Sequence, residues 1–342
     1  MRYRTALNYL SSFLNFEVTP FRYQREFNLR RMACLLEWFS HPEDLFSSVL
    51  VAGTKGKGST ANFLASILGA HAYRVGLYTS PHLLDPRERI RVGGRSISRR
   101  DFAKLFTRIR SVVDRRKERI RTLGPITFFE MFTLAAILYF AERQVDLAIF
   151  EVGMGGRLDA TNVLCPLISI LTPISFDHEE HLGKSLFQIA REKAAIIKPR
   201  AYVVSARQRP EAKRVIQSAI RNQKAKGYFF GASFRTMREV LSRRGGRFDF
   251  QMGSRRWNGL RIQLPGQFQI ENAAVAISCA SLLERQYGFG LDQGKVKQGL
   301  SNAFWPGRFE ILKSRDRRVV LDGAHNGASM TEVAKTFRDL FP

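Results

Sequence analysis

Short apolar runs recur along the chain, separated by longer stretches of helical spacing. Ser48-Val-Leu-Val-Ala52, Val75-Gly-Leu-Tyr-Thr79, Leu147-Ala-Ile-Phe-Glu-Val152, Leu167-Ile-Ser-Ile-Leu-Thr172 and Tyr202-Val-Val-Ser205 read as strands, the longer ones apolar enough to be buried on both faces. Apolar positions three and four apart predict helices over 22–39, from Ala61 to about His71, over 99–118 and 128–143 with a break at Gly124-Pro125, and over 185–197. Strands alternating with helices predict an α/β fold with a largely parallel sheet flanked by helices. The rhythm fails over 228–264, where aromatic and β-branched runs separated by Gly245-Gly246 and Gly253-Ser254 suggest hairpins on an edge. Helices resume over 270–288 and 292–302. After Trp305-Pro-Gly307 come strands at 309–313 and 318–322 and a helix from 328 to 340. Two strands and one helix bury little by themselves, so 305–342 is expected to open a second, incomplete domain after a large unit over 1–304.

Composition narrows the partners. Of 342 residues, 55 are Lys or Arg and 30 are Asp or Glu, a net charge of +25 that attracts polyanions such as nucleotides, nucleic acid or polycarboxylates. Arginines cluster over Arg108–Arg121, at Arg243-Arg-Gly-Gly-Arg247 and at Arg255-Arg256-Trp257, which keeps nucleic-acid binding open as a rival reading, though no RNA-binding signature accompanies them. Cys34, Cys165 and Cys279 lie far apart, so a disulfide framework is not expected and a reduced, cytoplasmic protein is. The basic start lacks the apolar core of a targeting segment, and the most apolar stretches fall short of the ~20 residues of a membrane span.

The strongest chemical signal is Gly53-Thr54-Lys55-Gly56-Lys57-Gly58-Ser59-Thr60 between a strand and a helix. Glycines let amides turn toward a phosphate, the helix N-terminus adds partial positive charge, and Lys57 adds a full one. Ser59 or Thr60 is placed to meet a magnesium ion, and an additional Gly58 separates the lysine from the serine of the usual phosphate loop. Asp177-His178-Glu-Glu-His181 matches neither H-E-x-x-H nor H-x-x-E-H, so zinc is not expected there.

The same loop, with Thr79-Ser-Pro-His-Leu83, Glu88-Arg-Ile-Arg91, Thr127-Phe-Phe-Glu130, the run Glu151 to Asn162, Asp177-His178, Arg191-Glu-Lys-Ala194, Glu271-Asn-Ala-Ala274, Trp305-Pro-Gly-Arg-Phe309 and Asp322-Gly-Ala-His-Asn326, resembles the folylpolyglutamate synthase/dihydrofolate synthase branch of the Mur-ligase superfamily. The resemblance covers nearly the whole chain. It implies a P-loop-type catalytic domain over 1–304 and the start of a C-terminal Mur-ligase domain over 305–342, in a chain shortened relative to the family. It implies an ATP-dependent amide ligase in which the carboxylate of dihydropteroate or a reduced folate attacks ATP to form an acyl phosphate, which L-glutamate then displaces.

The family pattern puts magnesium at Ser80, Glu151 and His178, and open α/β sheets place their ligands at such strand ends. It makes Lys193 a carbamylated lysine, which needs a depressed pKa, and adds His325 at the closing side of the site. ATP contacts map to the loop residues Gly53, Thr54, Gly56, Lys57, Gly58, Ser59 and Thr60 and to Asn272, Arg308 and Asp322. Pterin- and pteroate-contacting segments map to Leu29, Arg30, Arg31 and Met32, to Thr127, Phe128, Phe129 and Glu130, and to Leu158, Asp159 and Ala160. Phe128 and Phe129 face either a flat ring or the helix core, and Asp159 suits an amino-pyrimidine edge. Lys55 in place of Asn, Ala195 in place of Gly and Gly327 in place of Pro depart from the family pattern. The expected partners are ATP, L-glutamate and dihydropteroate or reduced folates, with no membrane and a monomeric chain. A Mur-type ligase acting on another carboxylate, such as a cell-wall UDP-peptide, is the alternative within the class. Dihydrofolate synthase, folylpolyglutamate synthase and a bifunctional enzyme are not separated by the sequence.

Overall fold

A computed structural model of the chain describes residues 1–19, 27–314 and 317–341. Strands β1 (Ser47–Ala52), β2 (Val75–Tyr78), β3 (Ile90–Val92), β4 (Arg95–Ser96), β5 (Leu147–Glu151), β6 (Ile168–Leu171), β7 (Tyr202–Ser205) and β8 (Lys226–Phe229) form one sheet in the order β4-β3-β2-β5-β1-β6-β7-β8. From β2 to β8 every pairing is parallel, and β3 and β4 add an antiparallel edge. Central β1 has Val49, Leu50, Val51 and Ala52 all fully buried, as a strand covered on both faces requires.

One face of the sheet packs on helices Leu29–Trp38, Arg99–Ile120, Phe128–Glu142, Leu186–Ala194 and Pro210–Asn222; the other packs on Lys57–Ala70, Gln267–Tyr287 and Gln293–Asn302. Helix Lys57–Ala70 is buried nearly all round because it lies between the sheet and two further helices, and Gly299 lets one of these approach the Ile67 backbone, where a Cβ would sit 2.6 Å from the Ile67 Cα.

The structure moves several predicted boundaries, and each has a local cause. The first core helix starts at Leu29 because the Asn28 side chain caps it, accepting from Arg30 N at 2.9 Å; the predicted start at 22 lies outside the described residues. The helix after the phosphate loop starts at Lys57, earlier than predicted, because Gly56 takes a left-handed φ of 80° as its cap. Strands β9 (Phe234–Ser242), β10 (Gly245–Met252) and β11 (Arg255–Ile262) do not extend the main sheet. They form a separate antiparallel sheet whose buried Phe248, Phe250, Trp257 and Leu260 pack with helix Gln267–Tyr287, since an alternating apolar face needs a cover of its own. Helices Tyr3–Ser11 and Pro210–Asn222 were not anticipated from the spacing.

The tail follows expectation. Strands β12 (Glu310–Ser314) and β13 (Arg317–Leu321) pair only with each other among the described residues, and helix Gly327–Leu340 follows. Gly327 does not weaken that helix start: Asn326 caps it, accepting from Ser329 N at 3.0 Å. Among the described residues no helix is long and apolar enough to cross a membrane. Cys34, Cys165 and Cys279 are free. Several arginines of these clusters are engaged within the chain: Arg108 pairs with Glu142 and Arg110 with Asp114, Arg243 reaches the Leu340 carbonyl, and Arg255 lies over Trp257.

Candidate active site

Parallel strands end on one side of the sheet, and there a cavity of about 1450 Å³ opens. The loop after β1 enters it first. Gly53 (φ 145°) and Gly56 (φ 80°) hold conformations that suit glycine, and a Cβ would sit 1.9 Å from Thr172 Oγ1 at Gly53 and 2.4 Å from Asn272 Oδ1 at Gly56. Thr54 fixes the turn: its N–H donates to Pro173 O (3.0 Å), and its Oγ1 donates to Ser175 O (3.0 Å) and accepts from Ser175 N (3.1 Å). Lys57 Nζ donates to Thr54 O at 3.3 Å, so the lysine curls back over the loop it would share with a phosphate. Thr54, Gly56, Lys57, Gly58 and Ser59 line the cavity, whereas Gly53 and Thr60 lie behind it, the Thr60 hydroxyl buried without a hydrogen-bond partner.

Glu151 ends β5, between the strands that lead to the phosphate loop and to Ser80. Its Oε2 accepts from Ser80 N at 3.1 Å, and both residues line the cavity. Burial pushes the Glu151 carboxyl above the usual carboxylate range, with Lys57 and the Ser80 amide pulling it back. A buried carboxylate with no ion-pair partner among the described residues, bonded to the amide of a serine that also lines the cavity, suits a hard divalent ion with oxygen ligands. Among the described residues no three His, Cys, Asp or Glu side chains converge on one point, so such an ion would draw on the serine and on the nucleotide's own oxygens as well. His178 also lines the cavity, in a left-handed backbone conformation (φ 50°); its Nε2 lies 3.9 Å from Asp177 Oδ2, and burial lowers its pKa.

Lys193 is 3% exposed and donates from Nζ to Gly53 O at 3.0 Å. It therefore supports the phosphate loop from behind and does not line the cavity. Burial, reinforced by Lys57, pushes its pKa down to about 7.

The predicted acceptor segments divide. Thr127 and Phe129 line the cavity, with Phe129 5.9 Å from Tyr78 and close over Gly153. Phe128 turns into the core against Phe132 at 5.0 Å, which settles the two faces of that pair. Glu130 accepts from Thr127 N (2.8 Å) and pairs with buried Arg31 (2.9 Å), whose Nη1 donates to Leu123 O; burial nonetheless raises the Glu130 pKa. That pair joins two helices. Leu29, Arg30, Arg31 and Met32 do not line the cavity; among the described residues the nearby Phe27 and the segment Asn15–Val18 do. Asp159 lines the cavity, but its oxygens accept from Gly153 N, Met154 N, Thr161 N and Thr161 Oγ1 (2.6–3.0 Å), so it shapes the loop and leaves little for an amino-pyrimidine. Leu158 and Ala160 do not line the cavity.

The far wall comes from Asn272, whose Nδ2 donates to Gln269 Oε1 (3.0 Å), and from the C-terminal tail. Asp322 accepts from Phe309 N and Ala324 N, both at 2.8 Å, which holds Arg308 and Gly323 side by side; exposed His325 bonds the Gly323 carbonyl through Nδ1 at 2.7 Å. Sequence reasoning missed Arg207, Gln208 and Arg209 after β7, where a strand end in a parallel sheet was the available signal; Lys55, named in the loop but given no contact there, also lines the cavity.

The Mur ligase middle domain family matches residues 106–280. The dihydrofolate synthase/folylpolyglutamate synthase of Bacillus subtilis is 35% identical, over 99% of this chain and 77% of its own length. The folylpolyglutamate synthase of Lacticaseibacillus casei is 32% identical, over 100% of this chain and 78% of its own. Among solved structures, a folylpolyglutamate synthase complex with AMPPCP and folate superposes with a TM-score of 0.93 at 32% identity, covering 100% of this chain and 81% of that one. The Thermotoga maritima folylpolyglutamate synthase gives 0.87 at 34% identity, covering 99% and 75%.

Proposed function

The chain belongs to the folylpolyglutamate synthase/dihydrofolate synthase family of Mur ligases, and we propose that its cavity is where an ATP-dependent ligase adds L-glutamate to dihydropteroate or to the γ-carboxylate of a reduced folate. One observation carries the reading: the phosphate loop, the Ser80–Glu151 pair and the aromatic wall at Phe129 face a single cavity of about 1450 Å³.

The nucleotide phosphates lie on the amides of 54–59 with Lys57 against them, and Asn272, Arg308 and Asp322 hold the rest of the nucleotide. Phosphoryl transfer asks mainly for position and charge neutralisation. Glu151, Ser80 and His178 would hold a Mg²⁺ ion, which would supply charge neutralisation at the phosphate oxygens. The acceptor carboxylate attacks the γ-phosphorus and ADP leaves; the glutamate amine then attacks the acyl phosphate carbonyl, loses a proton and expels phosphate. Lys193 is carbamylated in the active state: a pKa of about 7 leaves a large neutral fraction at physiological pH, which CO₂ requires. His325 stands where the second domain closes the site.

The test is ADP and phosphate release with glutamate plus either dihydropteroate or tetrahydrofolate. Stoichiometric ADP with one or both acceptors is expected, and the preferred acceptor names the activity. AMP and pyrophosphate as products would overturn the acyl-phosphate route.

A further inference from the structure

The segment Glu88-Arg-Ile-Arg91 has no role in the chemistry above, yet it brackets the loop that presents Ser80. The Glu88 carboxylate accepts from the amides of Leu83, Leu84 and Asp85 at 2.9, 3.1 and 2.8 Å. Arg91 lies over the Trp305 ring at 4.8 Å. Arg89, between them, is fully buried. Its Nη1 and Nη2 donate to the two carboxylate oxygens of Glu17 at 2.7 and 2.6 Å, its Nε donates to His82 Nδ1 at 2.9 Å, and its guanidinium lies 5.4 and 5.0 Å from the Phe128 and Phe132 rings.

Arg89 is buried but the Glu17 side chain is 34% exposed, and a buried charge is costly to desolvate even when it is paired, so stability alone is a weak reason for this pair. Both of its polar partners line the cavity: Glu17 in the wall segment Asn15–Val18 and His82 just beyond Ser80. A guanidinium only donates, so His82 Nδ1 must accept and its ring proton sits on Nε2, on the side turned away from Arg89. The arginine thus sets one wall of the cavity and the hydrogen-bonding sense of a ring on another.

We propose that Arg89 is a positioning residue for the acceptor substrate, holding the Asn15–Val18 wall in place and presenting His82 as a fixed Nε2–H donor to the acceptor's reacting carboxylate. This rests on the ligase reading. A donor there orients the attacking oxygen, and small misplacement of a reacting group is costly in rate.

Nitrogen-15 NMR of imidazole-labelled protein, with a His82→Gln variant to assign the ring, reads the tautomer without turnover: His82 is expected as the Nε2–H form, and an Nδ1–H ring would overturn the proposal. Steady-state kinetics of Arg89→Met and of the milder Glu17→Gln provide the second readout. Glu17→Gln is expected to raise the acceptor KM about 3- to 10-fold, and Arg89→Met about 10-fold or more with a fall in kcat, each leaving the ATP KM within about twofold. Arg89→Lys restores charge but not the fork and should not rescue. If Arg89→Met fails to fold, the Glu17→Gln kinetics and the NMR measurement still decide. An unchanged acceptor KM in folded Glu17→Gln overturns the proposal, whereas a wild-type protein that ligates no folate acceptor would instead overturn the reading beneath it.

Discussion

The phosphate loop and the C-terminal hairpin reach the same cavity from very different supports. The loop leaves a strand paired on both sides, is threaded by Gly53 and Gly56 where no other side chain fits, and is braced from behind by buried Lys193. The hairpin β12–β13 pairs only with itself among the described residues, and Leu312, Val319 and Leu321 on it are each more than 40% exposed. Asp322 and a bond from Gly323 N to Gly307 O (2.9 Å) tie its base. One half of the site is thus built before any substrate arrives, and the other is held by a few polar contacts. Chemistry that depends on fixed charge belongs on the first half, and contacts that gather a nucleotide belong on the second.

The largest effect should follow loss of charge from the fixed half. Lys57→Ala or Glu151→Gln is expected to lower kcat by about 10²–10³, as removal of a transition-state-stabilising group does. Fluorescent-nucleotide binding should weaken much less in Glu151→Gln. A residual kcat near wild type would break the division of labour. Lys193→Ala comes next, with turnover largely lost and partial rescue by short carboxylic acids; undiminished activity would exclude a carboxylate at that position. The same lysine gives a stability signature in CO₂-free buffer. Its folded pKa is about 7 against 10.5 for the ordinary group, so between those values the unfolded chain binds more protons and stability rises with pH. Below about 7 both states are protonated and this contribution is flat. Thermal melts at pH 7 and 9 should therefore show a gain in wild type that Lys193→Met lacks.

On the C-terminal half, Asp322→Ala frees two backbone amides at the hairpin base. One or two such hydrogen bonds are worth about 1–3 kcal/mol, roughly a tenfold rise in ATP KM, with kcat falling less. A collapse of kcat as deep as that of Lys57→Ala would merge the two halves.

How much of this was legible follows the same division. The strand, glycines, lysine and helix of residues 48–70 are contiguous, so apolar period and turn chemistry reveal them directly. Glu151 and Ser80 also sit at strand ends, where parallel topology gathers residues without any need to know their contacts. Long-range pairs leave no such trace: Glu17 meets Arg89 across 72 positions and Lys193 meets Gly53 across 140, and nothing local distinguishes these residues from solvated ones. The Phe128–Phe129 pair shows the limit at close range, since two adjacent helix residues of the same type point to core and cavity respectively, and only the packing of Phe132 and Tyr78 decides which. The resemblance supplied Lys193. It named the Leu29–Met32 segment as acceptor-contacting; among the described residues Asn15–Val18 and Phe27 line the cavity and Leu29–Met32 do not.

The smallest effect is the most direct measure of the contrast itself. Arg243 Nε donates to the Leu340 carbonyl at 2.7 Å, and its guanidinium lies 4.6 Å from the Phe341 ring, pinning the end of helix Gly327–Leu340 to the turn between β9 and β10. Arg243→Ala removes one hydrogen bond and one cation–π contact near the surface, worth about 1 kcal/mol in all. Because the hairpin and helix bury few apolar groups against the main sheet, they should open locally without unfolding the rest. Hydrogen exchange then resolves what a melt does not. In wild type, amides of β1 should exchange only through global unfolding, whereas those of β13 should exchange at least about 10²-fold faster through local opening. Arg243→Ala should speed exchange in helix Gly327–Leu340 about fivefold, the Boltzmann factor of that lost energy, while β1 protection and the melting temperature stay put. Saturating ATP should slow β13 far more than β1, since Arg308 and Asp322 gain a ligand and the strand beneath the loop has little left to gain. Equal protection in β1 and β13 without nucleotide would mean that both halves of the site are fixed in advance, and the difference in their supports would then have no consequence for binding.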